Sequence, residues 1–348
     1  MVPITKRVCA AALGGLVMAG VAAADPLVID GIEIADAELF AAAQAEGGFV
    51  LYGTYPPSSA ALIHEVFTEQ TGIEIEYVRA PTGSLFPRIQ TEAAAGQLAA
   101  DLIDLTDLPL VQELVEAGIL DVPHLTPSFD ALPEVLREDE GRWYVYIRPT
   151  YIFAVNTAVI EGELPTRWAD FLNPEHAGNI GIPSIDAGGS ALSAYTFMRQ
   201  ELGEQFLTDL AATGARIYPS LAPMVNDLVR GEVVISMTDA GFLMGQKAQG
   251  APVQEVFPEE GIPSFPVAAG VVSGASNPNA AKVFLNWMTS VPGSNAVTLS
   301  SAYGIHPDAG VPTTADFPPV DQVWNFGMEE WLTLREGIID DWHGTFGN

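Results

Sequence analysis

The chain is short of two things, cysteine and positive charge. One residue of 348 is a cysteine, Cys9, and it lies in an N-terminal stretch that reads as a leader. Beyond that stretch there is no thiol chemistry and no disulfide framework. Lysine and arginine together number 14 against 44 aspartates and glutamates, a formal net charge of −30. So acidic a chain argues against nucleic acid as a partner, because phosphate backbones need clustered cations. The five histidines, at 64, 124, 176, 306 and 343, are scattered and form no metal-spaced pair. No run after residue 24 is long and apolar enough to read as a membrane span. Neither a G-x-S-x-G elbow, an S-x-x-K pair nor a Walker-type loop occurs.

What is present starts with the leader. "MVPITKR" carries Lys6 and Arg7 and no acid, "VCAAALGGLVMAGV" is apolar but short, and "AAA" precedes Asp25. This is the pattern of a secretory signal peptide over residues 1–24, cleaved near Ala24/Asp25, which sends the mature chain to the periplasm. Without Lys6 and Arg7 the exported chain keeps 12 bases against 44 acids, a net of −32. That surface favours solubility and says little about fold.

The mature chain alternates strand-like and helical runs. "FVLYG", "IEIEYV" and "DLIDL" read as strands; "SAALIHEVFTEQTG", "SLFPRIQTEAAAG" and "LPLVQELVEAG" read as helices. In the second of these Ser84 is the expected cap and Pro87 falls in the first turn. The alternation implies an α/β fold with a mostly parallel sheet flanked by helices. It recurs after "YVYI" and "YIFAVN" with different content, which gives two such units. Ligands in open α/β sheets lie beyond the carboxyl ends of strands. The loops there carry Thr54, Tyr55 and Ser58; Thr82, Gly83 and Ser84; Asp107; Asp186, Gly188, Gly189 and Ser190; Ser220; and Asp239. The stretch "PSIDAGGSALSAY" stands out. Its two glycines allow close backbone approach, and Ser190 is a good cap type at a helix start, where N–H groups lack partners.

Several segments together resemble the periplasmic solute-binding proteins of ABC importers, in the ferric-ion, thiamine, phosphonate and polyamine branch. They are "ELFAAAQAEGGFVLYG", "FTEQTGIEIEYVRAPTGSLFPRIQTE", "PTRWADFLNPEHAGNIGIPS", "LVRGEVVISMTDAG" and "SNPNAAKVFLNWMTSVPGSNAV", spread over roughly residues 36–308. The resemblance implies a two-lobed periplasmic binding protein fold of type II with crossing hinge strands. Lobe 1 would comprise residues 25–150 plus 265–348, including the C-terminal helical segment, and lobe 2 residues 151–264. It implies no catalysis and no cofactor. A monomer would close on a small polar solute, which Arg148 turns toward an organic anion, and present it to a membrane permease. It also implies that the "SIDAGGSA" and "APTGS" loops face each other across the cleft, and that Arg148, near the hinge, is a candidate partner for the anion. Iron binders of this branch carry adjacent tyrosines where this chain has "TDAGFLMG", with Phe242, and often a histidine where Pro56 stands. Direct ferric binding is therefore the lesser alternative, beside a sensor-linked binding protein and a secreted hydrolase using Ser190.

Overall fold

The structure is a computed structural model and describes residues 25–160, 162–312, 317–325 and 327–347. The expected leader lies outside them. Two five-stranded sheets carry the fold. The first runs in the order Glu74–Arg79, Gly48–Gly53, Leu102–Leu105, Val267–Val271, Tyr144–Ile147. The second runs Val253–Val256, Tyr151–Asn156, Ile235–Asp239, Ile180–Pro183, Arg216–Tyr218.

Each sheet is half parallel and half antiparallel, where the alternation of strands and helices implies mostly parallel pairing. The cause is the way the chain changes lobes. Tyr151–Asn156 is the first strand after the outward crossing and is antiparallel to both of its neighbours. Val267–Val271 is the first after the return and is likewise antiparallel to both. A strand delivered from the other lobe enters its sheet from the cleft end and must run against strands that finish there. The crossing segments also pair with each other: Tyr151 N–H donates to Pro263 O at 2.8 Å and Phe265 N–H to Pro149 O at 3.1 Å.

The central strands are buried on both faces, Tyr151–Asn156 at every residue, because helices cover both sides; the edge strands Glu74–Arg79 and Arg216–Tyr218 are partly exposed. In the first lobe Phe49, Phe67, Phe284 and Trp287 form an edge-on and tilted aromatic cluster with centroids 5.0–6.4 Å apart. Edge-to-face contact suits the ring quadrupoles and adds about 0.5–1.5 kcal/mol per pair to area burial. In the second lobe Phe153, Trp168, Phe171 and Phe197 play the same part.

The C-terminal segment does not belong to the first lobe alone. The helix Met328–Phe346 lies on Leu108–Glu116 of the first lobe and on Gly189–Phe197 and Glu204–Ala212 of the second. Its early turns hold the first lobe: Trp331 Nε1–H donates to Asp107 Oδ1 at 3.1 Å and Arg335 Nε–H to Asp107 Oδ2 at 2.9 Å. Its later turns hold the second. Arg199 donates to Asp341 at 2.6 Å, the rings of Tyr195 and Trp342 lie 5.8 Å apart, and His343 meets Asp186 at 3.2 Å. Trp331 and Trp342 are buried. With apolar residues to bury toward both lobes, the helix becomes a strap across them.

Candidate functional site

The two lobes are closed on each other. Ser59 Oγ–H, at the start of Pro57–Thr71, reaches Gly241 O in the second lobe at 3.0 Å. Between the sheets' carboxyl ends lies a small cavity of about 40 Å³. The first lobe lines it with Thr54, Tyr55, Pro56, Arg79, Pro81, Thr82, Thr106 and the return-strand residue Val267. The second adds Ala187, Ser190, Ser220, Leu221, Asp239 and Phe242, and Phe265 comes from the crossing.

Helix starts dominate this lining. Pro56, Pro81 and Ser220 are the caps of Pro57–Thr71, Thr82–Ala94 and Leu221–Arg230, and Ser190 is the second residue of Gly189–Phe197. None of these four helices has a side-chain cap on its free N–H groups. Four partial positive charges therefore converge on one small space. Arg79 adds a full one. It ends the strand Glu74–Arg79, donates Nε–H to Thr54 O at 3.3 Å, and stands 5.3 Å from the Phe242 ring of the other lobe. Burial lowers its pKa, opposed by the nearby Tyr77, Asp104 and Asp239. It is the one basic side chain lining the cavity among the described residues.

Two buried carboxylates flank it. Asp104 Oδ1 accepts the backbone N–H of Thr54 at 2.8 Å and its hydroxyl at 2.6 Å, and Oδ2 accepts the Tyr146 hydroxyl at 2.6 Å. Burial nevertheless pushes its carboxyl up to about 6. Asp239 caps the fifth helix at the cavity, Ala240–Ala248, accepting from Gly241 N–H at 2.7 Å and Phe242 N–H at 3.2 Å through Oδ1. Burial pushes it up to about 7 against those two hydrogen bonds. Behind Ser190, the Tyr151 hydroxyl is fully buried, and the Ser190 side chain and the Asp239 carboxyl are the polar groups that act on it.

Of the residues singled out in the sequence, Thr54, Tyr55, Thr82, Ser190, Ser220 and Asp239 line the cavity. The others do not, each for a visible reason. Ser58 and Ser84 are exposed, and the Ser84 hydroxyl turns back to Pro81 O at 3.1 Å. Ser84 is also not the cap of its helix, which starts at Thr82 and so puts Pro87 inside it. Asp107 is taken by Trp331 and Arg335, and Asp186 is exposed beside His343. Arg148 points to the hinge instead, bonded to Asn325 in a separate cavity of about 310 Å³ that includes Leu136 and Pro266.

The glycines serve the contact between lobes. A Cβ on Gly189 would stand 1.9 Å from Thr106 O, one on Gly83 2.0 Å from Asp186 O, and one on Gly188 2.6 Å from Thr82 Cβ. Gly188, with φ of 132°, is the residue before the helix, so Ser190 is left uncommitted to capping. Backbone meets backbone across the cleft here because no side chain is in the way. Arg79, Thr106 and Phe242 complete the wall without having been among the sequence candidates. The signal that finds Arg79 is its place as the last residue of "IEIEYVR", at a strand's carboxyl end.

Residues 98–321 match the family described as bacterial extracellular solute-binding protein. Among curated relatives, an uncharacterized protein of Haemophilus influenzae is 26% identical over 323 residues, 86% of this chain and 91% of its own. The spermidine/putrescine-binding periplasmic protein 1 of the same organism is 23% identical over 257 residues, covering 68% of this chain and 69% of its own. Among solved structures, the periplasmic binding protein AfuA of Actinobacillus pleuropneumoniae, with fructose-6-phosphate bound, superposes with a TM-score of 0.71 at 20% identity. The match covers 86% of this chain and 98% of AfuA. Iron-bound HitA of Pseudomonas aeruginosa gives 0.63 at 20% identity, covering 84% and 99%. At these identities the solved structures establish the shared two-lobed fold.

Proposed function

The chain belongs to the bacterial extracellular solute-binding protein family, the solute-capturing components of ABC transporters, and from that premise we propose that its solute is a small organic anion. The observation that carries this reading is the convergence of Arg79 and four uncapped helix starts on one cavity. Preoriented N–H groups and a guanidinium stabilise an oxyanion without reorganising. A polycation such as spermidine would meet that positive field with one lining acid, Asp239. Fructose-6-phosphate, the ligand in AfuA, is of the favoured class.

Binding holds the lobes together, because the lining groups come from both, and the closed form is what the permease of the importer receives. The crossing segments around Arg148 and Ser264 act as the hinge. Residues 1–24 are removed on export, and the mature chain works in the periplasm as a monomer. Ser190 acts as a donor to the solute rather than as a nucleophile, since no histidine lines the cavity to serve as its base.

Calorimetric titration of the mature chain with organic phosphates and carboxylates, spermidine and ferric citrate tests this. The anions are expected to bind and spermidine not to. Arg79→Gln should weaken anion binding by at least about tenfold, the effect of losing a charged hydrogen bond worth about 1.5–3 kcal/mol. Tight spermidine binding, or an affinity indifferent to Arg79, overturns the reading.

A further inference from the structure

An acid in the wall of an anion site calls for a reason. Asp239 is 2% exposed, and capping alone does not require its charge, since serine and asparagine cap as well. Its Oδ1 is occupied by the N–H groups of Gly241 and Phe242. Among the described residues no donor reaches Oδ2. Two hydroxyls at the same turn are committed elsewhere, Tyr55 OH to Ser300 and Ser59 Oγ–H to Gly241 O, and the Tyr151 hydroxyl, opposite Asp239 in the sheet register, makes no hydrogen bond to it. Arg79 acts on it through its charge but forms no ion pair with it. The two come from opposite lobes, and no N–O distance between them is within 4.0 Å.

We propose that Asp239 is a specificity-determining residue, admitting anions that also carry a hydrogen-bond donor, a hydroxyl or an ammonium, at the end away from the anionic group. This rests on the anion reading above and adds a second requirement to it. The solute's anionic group sits among Arg79 and the helix starts, and its donor meets Oδ2. A simple oxyanion has nothing to give Oδ2 and places like charge against a desolvated carboxylate. A solute with both groups joins a first-lobe cation to a second-lobe acid, so the pair also ties recognition to closure. The upward displacement of Asp239 to about 7 fits a carboxylate whose second oxygen has no donor.

The test uses three probes that share one phosphate and differ at the far end: ethyl phosphate, 2-hydroxyethyl phosphate and phosphoethanolamine. Titrated into the mature chain, the two donor-bearing probes are expected to bind at least tenfold tighter than ethyl phosphate. Asp239→Asn keeps an acceptor for the cap but turns an N–H donor toward the cavity. It should weaken phosphoethanolamine at least tenfold and strengthen ethyl phosphate. If ethyl phosphate binds the unaltered protein as tightly as the other two, Asp239 is only a helix cap. The same follows if Asp239→Asn, folded as judged by its melt, leaves the ranking unchanged. If none of the three binds, this inference fails, and the anion reading stands or falls by the separate titration with carboxylates and the Arg79→Gln variant.

Discussion

Two seams join the lobes, and they are made of different chemistry. Beside hydroxyls already bonded within the chain, those of Thr54, Tyr55 and Thr82, the cleft seam consists of backbone at the glycine turns, helix starts without caps, and one cation and one acid that do not pair. The strap seam consists of tryptophans, stacked rings and charges that have found partners, Arg335 with Asp107 and Arg199 with Asp341, with Trp342 Nε1 and His343 Nδ1 its exceptions. Groups already satisfied within the chain add to folding stability. Groups left unsatisfied subtract from it and return that energy when a guest supplies the missing partner. Changes at the strap should therefore be read in melting, and changes at the cleft in affinity.

The largest effect is expected at the strap. Trp331 is fully buried, and Trp331→Ala should cost about 3–5 kcal/mol of stability, the usual range for emptying a tryptophan site. A thermal or urea melt checks it, and an unchanged midpoint would mean that the strap is not part of the cooperative unit.

Next comes the glycine turn. Gly189→Ala places a methyl group on Thr106 O of the facing lobe. The first position of a helix tolerates alanine, so the melt should barely move, while closure is blocked. A loss of about 100-fold in affinity, or 2.7 kcal/mol, is expected by titration, with no compaction in small-angle scattering on adding solute. Full affinity in Gly189→Ala would erase the distinction between the seams.

The smallest effect belongs to Ser190. Its hydroxyl lines the cavity and does not cap its helix. Ser190→Ala should thus weaken binding by about 0.5–1.5 kcal/mol, one neutral hydrogen bond, and leave the melting temperature in place. A lowered melt with unchanged affinity would assign Ser190 to the strap's kind of chemistry instead.

Much of this architecture is legible in the residue order. Periodicity marks the helix Pro57–Thr71 and the strands Gly48–Gly53 and Tyr151–Asn156 because their apolar residues face fixed directions in local geometry. The rule that ligands lie past strand ends places Thr54, Thr82, Ser190 and Asp239 near one another. It does not separate residues within a loop. Gly83 and Thr82 are adjacent, and both meet the other lobe, yet only Thr82 lines the cavity. Ser84, two residues beyond Thr82, looks to solvent.

What the sequence determined by itself is local: the element types, the leader pattern, the acidic balance, and the presence of small residues where two turns meet. These follow from propensities and from which residue types permit which backbone. Which arginine faces the solute was decided only by the tertiary structure. Arg79 and Arg148 both stand at ends of first-lobe strands, but Arg79 leaves its strand at the cleft, whereas Arg148 starts the crossing and is held by Tyr303 and Asn325. The strap was likewise undecided by the sequence alone. Trp331 and Trp342 mark a helix with something to bury, but nothing in Met328–Phe346 says that its two ends rest on different lobes. A contact between residues more than a hundred positions apart depends on where folding brings them, and local preferences carry no record of that.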